Sequence, residues 1–179
     1  MAEAMRAAGR DPGTLGRDDE TLARIGTFVE LHVEQGRRLV DLGHAVGVGS
    51  DIRPHGRWRF DVPGEANHAG TTRLEDREDA MLGLAAMIIA ARRAATQHGC
   101  VATVGKVNVV PGGVNAIASG ATGWLDARGA DADAVRRVVA DVGAVVADFD
   151  GLVTQESWTP TTMFDPALAQ QMAARLGGV

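Results

Sequence analysis

One cysteine and one lysine, Cys100 and Lys106, occur in the 179 residues. A single thiol excludes an intrachain disulfide and a thiolate metal cluster, and it suits a reducing cytoplasm. The scarcity of lysine beside frequent arginine, with abundant Ala, Gly and Val, reads as coding bias more than function. No run of basic residues occurs, and the formal net charge of -5 argues against a nucleic-acid partner. The N-terminal "MAEAMRAAGRDPG" has no apolar core segment, so no secretory signal is expected. The longest apolar helix candidate, near Met81 to Ala91, is too short to span a bilayer, so no membrane partner is expected either. Gly-x-Ser-x-Gly, a phosphate loop, a dinucleotide fingerprint and His-Glu-x-x-His are all missing, which removes the commoner catalytic templates. What is present is ordinary globular usage, 45% hydrophobic and 23% charged, with enough apolar material for a core. The length suits one domain, or one domain with pieces of another.

The patterning divides the chain. "QGRRLVDLG" reads as a short helix stopped by Gly43, and "GVGSDIRPHG" as a linker. After it, "RWRFDV" alternates, with Trp58, Phe60 and Val62 on one face and Arg57, Arg59 and Asp61 on the other, as in a half-buried strand. Residues 75–95 have helical spacing through Met81, Leu84, Ala85, Ile88 and Ile89. "VATVGKVNVV" and "ATGWLDAR" are strands able to pair as neighbours, separated by the turn at Pro111-Gly112-Gly113. The helix that follows, near 132–148, carries one stripe of Val135, Val138, Val139, Val142, Val146 and Phe149, is capped by Asp131 or Asp133, and is ended by Gly151. "LVTQESW" is the last strand. "FDPALAQQMAARLGG" opens another helix, with Asp165 as cap, Pro166 in the first turn and Gly177 at the stop.

From 57 to 158 the order is strand, helix, strand, strand, helix, strand. That is the α+β, ferredoxin-like βαββαβ arrangement: a four-stranded antiparallel sheet with two helices on one face. Residues 1–46 and 160–179 flank this domain of 47–159 and do not complete a second one.

Four places concentrate polar residues beyond the needs of a scaffold. "FVELHVEQG" opens as the apolar run of a buried strand, yet sets Glu30, His32, Glu34 and Gln35 close together. On these nine residues alone, a hydrogen-bonded structural histidine outweighs a metal ligand. "GEANHAGTT" holds His68, which by itself could cap the next helix, as could Thr71 or Thr72. "PGGVNAIASG" holds Asn115, which could simply take a left-handed turn conformation. "WLDARG" holds Asp126 and Arg128, where Arg128 could pair with Asp126 or Asp131 on the surface.

Taken together and in order, "ELHVEQG", "GEANHAGTT", "VATVGKVNVVPGGVN" and "LDARG" resemble the amidohydrolases that cleave N-carbamoyl amino acids, allantoate and ureidopropionate, within the dinuclear metallopeptidase superfamily. The resemblance covers nearly the whole chain. It implies a hydrolase with a two-metal α/β catalytic domain, into which a ferredoxin-like lid and dimerisation domain is inserted. It implies that His32 is a metal ligand, oriented by Glu30 or Glu34. It implies that His68 reaches across a homodimer to stabilise the oxyanion, and that Asn115 and Arg128 bind the substrate's carboxylate. One position departs from the pattern. Where many relatives have a glutamine within Gly-Gln-Arg-Arg, this chain has His55 in "RPHGRWRF", and a changed substrate contact is expected there.

The family's mechanism also needs a His-x-Asp motif, a Glu-Glu pair and a late Gly-His-Asp, and none is found. Two divalent ions (Zn, Mn, Ni or Co) are implied for the intact enzyme, while this chain alone is expected to hold none tightly and to be inactive. The expectation is therefore an internal segment of a cytoplasmic amidohydrolase acting on a small ureido or carbamoyl substrate. Two other readings stay open: a non-catalytic dimerisation or small-molecule binding module, and a segment of a related aminoacylase or dipeptidase.

Overall fold

The computed structural model describes residues 1–178, so the last residue of the 160–179 segment, Val179, lies outside the described residues. The chain forms two compact units, one of residues 1–44 and a second that begins at Ala45. The first unit holds three short helices, α1 (Ala2–Ala7), α2 (Asp19–Ala23) and α3 (Arg38–Leu42), with no buried residue in any of them. Gly43, at a φ of 72°, ends α3 in the left-handed cap its glycine permits. The strand expected across "FVELHV" does not form. Phe28, Val29, Leu31 and Val33 are 75%, 57%, 93% and 84% exposed. An alternating run becomes a strand only when a neighbour takes up its backbone groups, and among the described residues none pairs with it.

The second unit is built on strands β2 (His55–Pro63), β3 (Val101–Val110), β4 (Gly120–Arg128) and β5 (Leu152–Thr159). Their order is β3-β4-β2-β5, all antiparallel. This is the ferredoxin-like topology that the alternation of strand and helix patterns implies. Helices α4 (Ala80–His98) and α5 (Ala132–Ala147) cover one face. Trp58, Phe60 and Val62 of β2, with Ala121, Leu125 and Ala127 of β4, point into that layer. They meet Leu84 and Met87 of α4, and Val135, Val138, Val142 and Val146 of α5, all nearly or wholly buried. The valine stripe is thus the α5 face of the core, with Val139 and Phe149 packed at its margin. The other face of the sheet is polar. Lys106 lies 3.9 Å over the Trp124 ring, and the Trp124 indole donates to Glu156 at 3.2 Å.

Three local expectations are corrected. Helix α4 starts at Ala80, not 75, because Asp79 accepts from the Met81 amide and caps it, while Leu74–Asp76 forms a separate 3-10 turn. Neither His68 nor Thr71 nor Thr72 caps this helix. At the end of α5 the left-handed residue is Asp150, with φ 55°, rather than Gly151. Gly151 is needed for another reason: a Cβ there would lie 2.4 Å from Cγ1 of Val146. Asp131 is the cap of α5, accepting from the amides of Asp133 and Ala134.

A two-residue pairing missed in the linker joins β1 (Asp51–Ile52) to β6 (Thr162–Met163). Helix α6 (Pro166–Leu176) then follows with Asp165 as cap and Gly177 as its left-handed stop, as its motif predicts.

Candidate functional site

Strands β2 and β4 are paired from His55 opposite Arg128 to Pro63 opposite Gly120. This register sorts the predicted residues of the second unit into two groups. His55 and Arg128 stand side by side at one end of the sheet. The loop leaving Pro63 and the loop from Val110 to Gly120 lie at the other end, and they carry His68 and Asn115. Strand β2 has nine residues, so eight steps of ~3.3 Å separate the ends by roughly 26 Å.

At the end that carries His68 and Asn115 the two loops are stitched together by their backbones. His68 bridges to Ala116, the Ala69 amide donates to the Asn115 carbonyl at 3.0 Å, and the Ile117 amide donates to the Asn67 carbonyl at 2.9 Å. Asn115 does not have the positive φ of a left-handed turn; Gly112 does, at 75°. The His68 loop is closed at its root by Gly64, whose amide donates to the Ser119 carbonyl at 3.0 Å. A Cβ on Gly64 would sit 2.5 Å from the carbonyl oxygens of both Ala118 and Glu78, so only glycine fits where three backbones converge.

The imidazole of His68 is oriented within its own turn. The Gly70 amide donates to Nδ1 at 3.0 Å, and the Thr72 hydroxyl donates to the His68 carbonyl at 2.8 Å. With Nδ1 accepting, a neutral ring must carry its hydrogen on Nε2. His68 is exposed, so it presents a donor outward, the polarity that an oxyanion requires.

Arg77 holds this turn from below, and it was not singled out from the sequence. Its Nη2 donates to the carbonyls of Ala69 and Thr72 at 2.7 and 2.9 Å, and its Nε donates to Thr72 at 3.1 Å. A lone arginine among Glu75, Asp76, Glu78 and Asp79 looks like a surface ion pair, and no sequence signal separates that use from a carbonyl clamp. Arg77→Ala removes all three bonds. The amides of Ala69 and Gly70 are then expected to exchange with deuterium at least about tenfold faster, while the interiors of α4 and β2 are unchanged. Exchange mass spectrometry or NMR of the variant checks this.

At the opposite end, Arg128 donates through Nε and Nη2 to Oδ1 of Asp126, at 2.9 and 2.5 Å. Arg57 approaches the other oxygen of the same carboxylate at 3.5 Å. Arg128 is 52% exposed, so the pair adds little stability, and its effect is to aim the guanidinium. His55 lies directly across from Arg128 on one side and from Thr159 on the other. Its Nδ1 is 2.9 Å from the Arg53 carbonyl.

His32 belongs to the first unit. Its Nε2 lies 2.6 Å from Oε1 of Glu30, and the side chain is 77% exposed. Glu34 is engaged elsewhere, accepting from the amides of Arg38 and Leu39 at the start of α3. Of the two glutamates, Glu30 is therefore the one that orients His32. Among the described residues no group of three or more His, Cys, Asp or Glu side chains is placed to hold a metal ion. The donor set for a two-metal centre is thus incomplete in these residues. Burial pushes the thiol pKa of Cys100 up, which disfavours its thiolate form. No helix among the described residues is long and apolar enough to cross a membrane.

The ferredoxin-like sheet is shared with solved amidases of the hydantoinase/carbamoylase family. An amidase of the hydantoinase/carbamoylase family from Burkholderia vietnamiensis superposes with a TM-score of 0.75 at 26% identity, over 82% of this chain and 38% of that one. The chain is 38% identical over 129 residues to the N-carbamoyl-L-amino acid amidohydrolase of Geobacillus stearothermophilus, covering 72% of this chain and 32% of the relative. It is 32% identical over 140 residues to the allantoate amidohydrolase of Escherichia coli K12, covering 75% of this chain and 34% of that protein. No family model matches. The chain is thus homologous to part of the N-carbamoyl-L-amino acid and allantoate amidohydrolases, and it spans about a third of the length of these curated relatives.

Proposed function

We propose that the chain supplies the lid of a metal-dependent amidohydrolase that cleaves the C–N bond of a small ureido or carbamoyl substrate carrying a carboxylate. The observation that carries this reading is the polarity of the two sheet ends. One end offers an outward N–H donor on His68 beside Asn115; the other offers the planar fork of Arg128 beside His55. A small substrate cannot span the roughly 26 Å between them. A complete site therefore takes one end from each of two chains, with Arg128 gripping the carboxylate and the partner's lid aiming its histidine N–H at the oxygen that becomes negative as water adds. Residues 1–44 and 160–178 belong, in this reading, to the catalytic domain, and His32 to its metal centre. The lone free cysteine fits a cytoplasmic setting.

Two features support pairing into a homodimer. Met81, Leu82, Ile88 and Ile89 are exposed and lie seven residues apart in pairs, so they form one stripe on α4. Strand β3, which packs beside α4, is an edge strand with an unpaired side. A two-fold axis along that edge would join two sheets and cover both stripes. Sedimentation at micromolar concentration is expected to show a dimer, and Ile89→Glu to give a monomer. A wild-type monomer would remove the shared site. The reaction class itself is tested by grafting residues 45–178 in place of the matching segment of the Geobacillus stearothermophilus relative. The chimera is expected to hydrolyse N-carbamoyl amino acids; a folded, dimeric chimera with no turnover would contradict the reading.

A further inference from the structure

The two histidines at the sheet ends are held in opposite senses. At His55 the partner of Nδ1 is the Arg53 carbonyl, at 2.9 Å. A carbonyl has no hydrogen to give, so in the neutral ring Nδ1 of His55 carries it. At His68 the partner is the Gly70 amide, at 3.0 Å, so Nδ1 accepts and the hydrogen stays on Nε2. The sense of His68 is therefore set by which end of one peptide faces its ring.

The Gly70 amide and the Ala69 carbonyl are the two ends of a single planar trans unit, and they point in opposite directions. While the amide donates to His68, the carbonyl accepts from Nη2 of Arg77 at 2.7 Å. This unit is the central peptide of a β-turn from His68 to Thr71, closed by the Thr71 amide on the His68 carbonyl at 3.3 Å. Rotating a central peptide by about 180° converts a type I turn into type II and exchanges the places of its carbonyl and amide. The type II form needs a positive φ at the third residue. Gly70 occupies that place without a positive φ in this structure, and as a glycine it can take either sign. A flipped peptide would turn the Ala69 carbonyl toward the ring, and Nδ1 could then pair with it only by donating.

We propose that Arg77 is a positioning residue: its hold on the Ala69 carbonyl locks this peptide in the one sense that keeps hydrogen on Nε2 of His68. The lock is charged. A guanidinium bond to a carbonyl is stronger than a neutral one, and it polarises the peptide so that the Gly70 amide becomes the better donor. The guanidinium is itself anchored by the Thr72 carbonyl, which accepts from both Nε and Nη2, so it stays in place if the peptide rotates. The bearing of the lock on catalysis rests on the reading of His68 as the oxyanion donor; the tautomer does not.

The test uses the 179-residue chain labelled with nitrogen-15 in histidine, at about pH 8, where an ordinary imidazole is neutral, with His55→Gln and His68→Gln to assign the rings. In the unmodified chain, two-bond proton–nitrogen correlation is expected to show hydrogen on Nε2 of His68 and on Nδ1 of His55. Arg77→Ala is expected to raise the ratio of Nδ1–H to Nε2–H at His68 at least about fivefold, the worth of one exchanged hydrogen bond, with His55 unmoved. Arg77→Lys keeps a charged donor for the Ala69 carbonyl and should hold the ratio of the unmodified chain. Thr72→Val loosens the same turn by removing the hydroxyl bond to the His68 carbonyl, and it should leave the ratio unchanged. Hydrogen on Nδ1 of His68 in the unmodified chain overturns the proposal whether or not the variants fold. So does an unchanged ratio in folded Arg77→Ala, an equal rise in Thr72→Val, or a ratio in Arg77→Lys no different from that in Arg77→Ala. A grafted enzyme that loses nothing on His68→Ala would instead remove the oxyanion reading and leave the lock standing.

Discussion

No turnover of N-carbamoyl amino acids or allantoate is expected from the purified chain, whatever divalent ion is added. The expectation rests on donors. A two-metal hydrolase needs both ions to share the attacking water, with a base placed to take its proton. Among the described residues no three side chains of the right kind converge. His32, the candidate ligand, is exposed and paired with Glu30 alone. One imidazole and one carboxylate cannot fix two ions against water, so Zn²⁺, Mn²⁺, Ni²⁺ or Co²⁺ should each leave the rate at background. The assay is release of ammonia or free amino acid at saturating metal. Turnover above background that disappears in His68→Ala would mean that the chain assembles its own centre, and the lid reading would be wrong.

The features that were legible in the sequence are those set by local chemistry. The alternation of Trp58, Phe60 and Val62 gave the inward face of β2, and the valines of α5 gave its core stripe. Each follows from a period that one element imposes on its own side chains. The caps of α3 and α6 were legible for the same reason, and that of α5 was narrowed to Asp131 or Asp133, since an aspartate or glycine at a helix end acts on backbone groups within a few residues.

The features that were not legible depend on partners distant in the chain. The start of α4 was misplaced because residues 75–79 are acceptable helix formers. Their backbone is drawn off by Arg77 clamping Ala69 and Thr72, and by the Glu65 amide bonding to the Glu78 carbonyl. The pairing of Asp51–Ile52 with Thr162–Met163 spans more than a hundred residues and involves two on each side, too few to leave a pattern. The 28–33 run alternates like a strand, but alternation does not supply the neighbour that makes it one.

The candidate site divides in the same way. His55, His68, Asn115 and Arg128 could be named from motifs. That they fall into two pairs at opposite ends of the sheet depends on the β2–β4 register, which no single motif contains. The opposite senses of His55 and His68 depend on a single backbone contact at each ring.

A site shared between two chains has a consequence that no single variant can produce. In the grafted enzyme, His68→Ala removes the donor to the developing negative charge, and a loss of about 10²–10³ in kcat is expected, the usual worth of one such donor. Arg128→Ala removes the carboxylate grip and is expected to raise KM, with a loss of similar size in kcat/KM. Each homodimer is then nearly inactive. When the two variants are unfolded together and refolded as a mixture, about half of the dimers are mixed, and in each of those one of the two sites has both groups intact. The direct measurement is the specific activity of that equimolar mixture. About a quarter of the activity of the unmodified chimera is predicted, and activity no higher than the mean of the two parent variants would contradict the shared site.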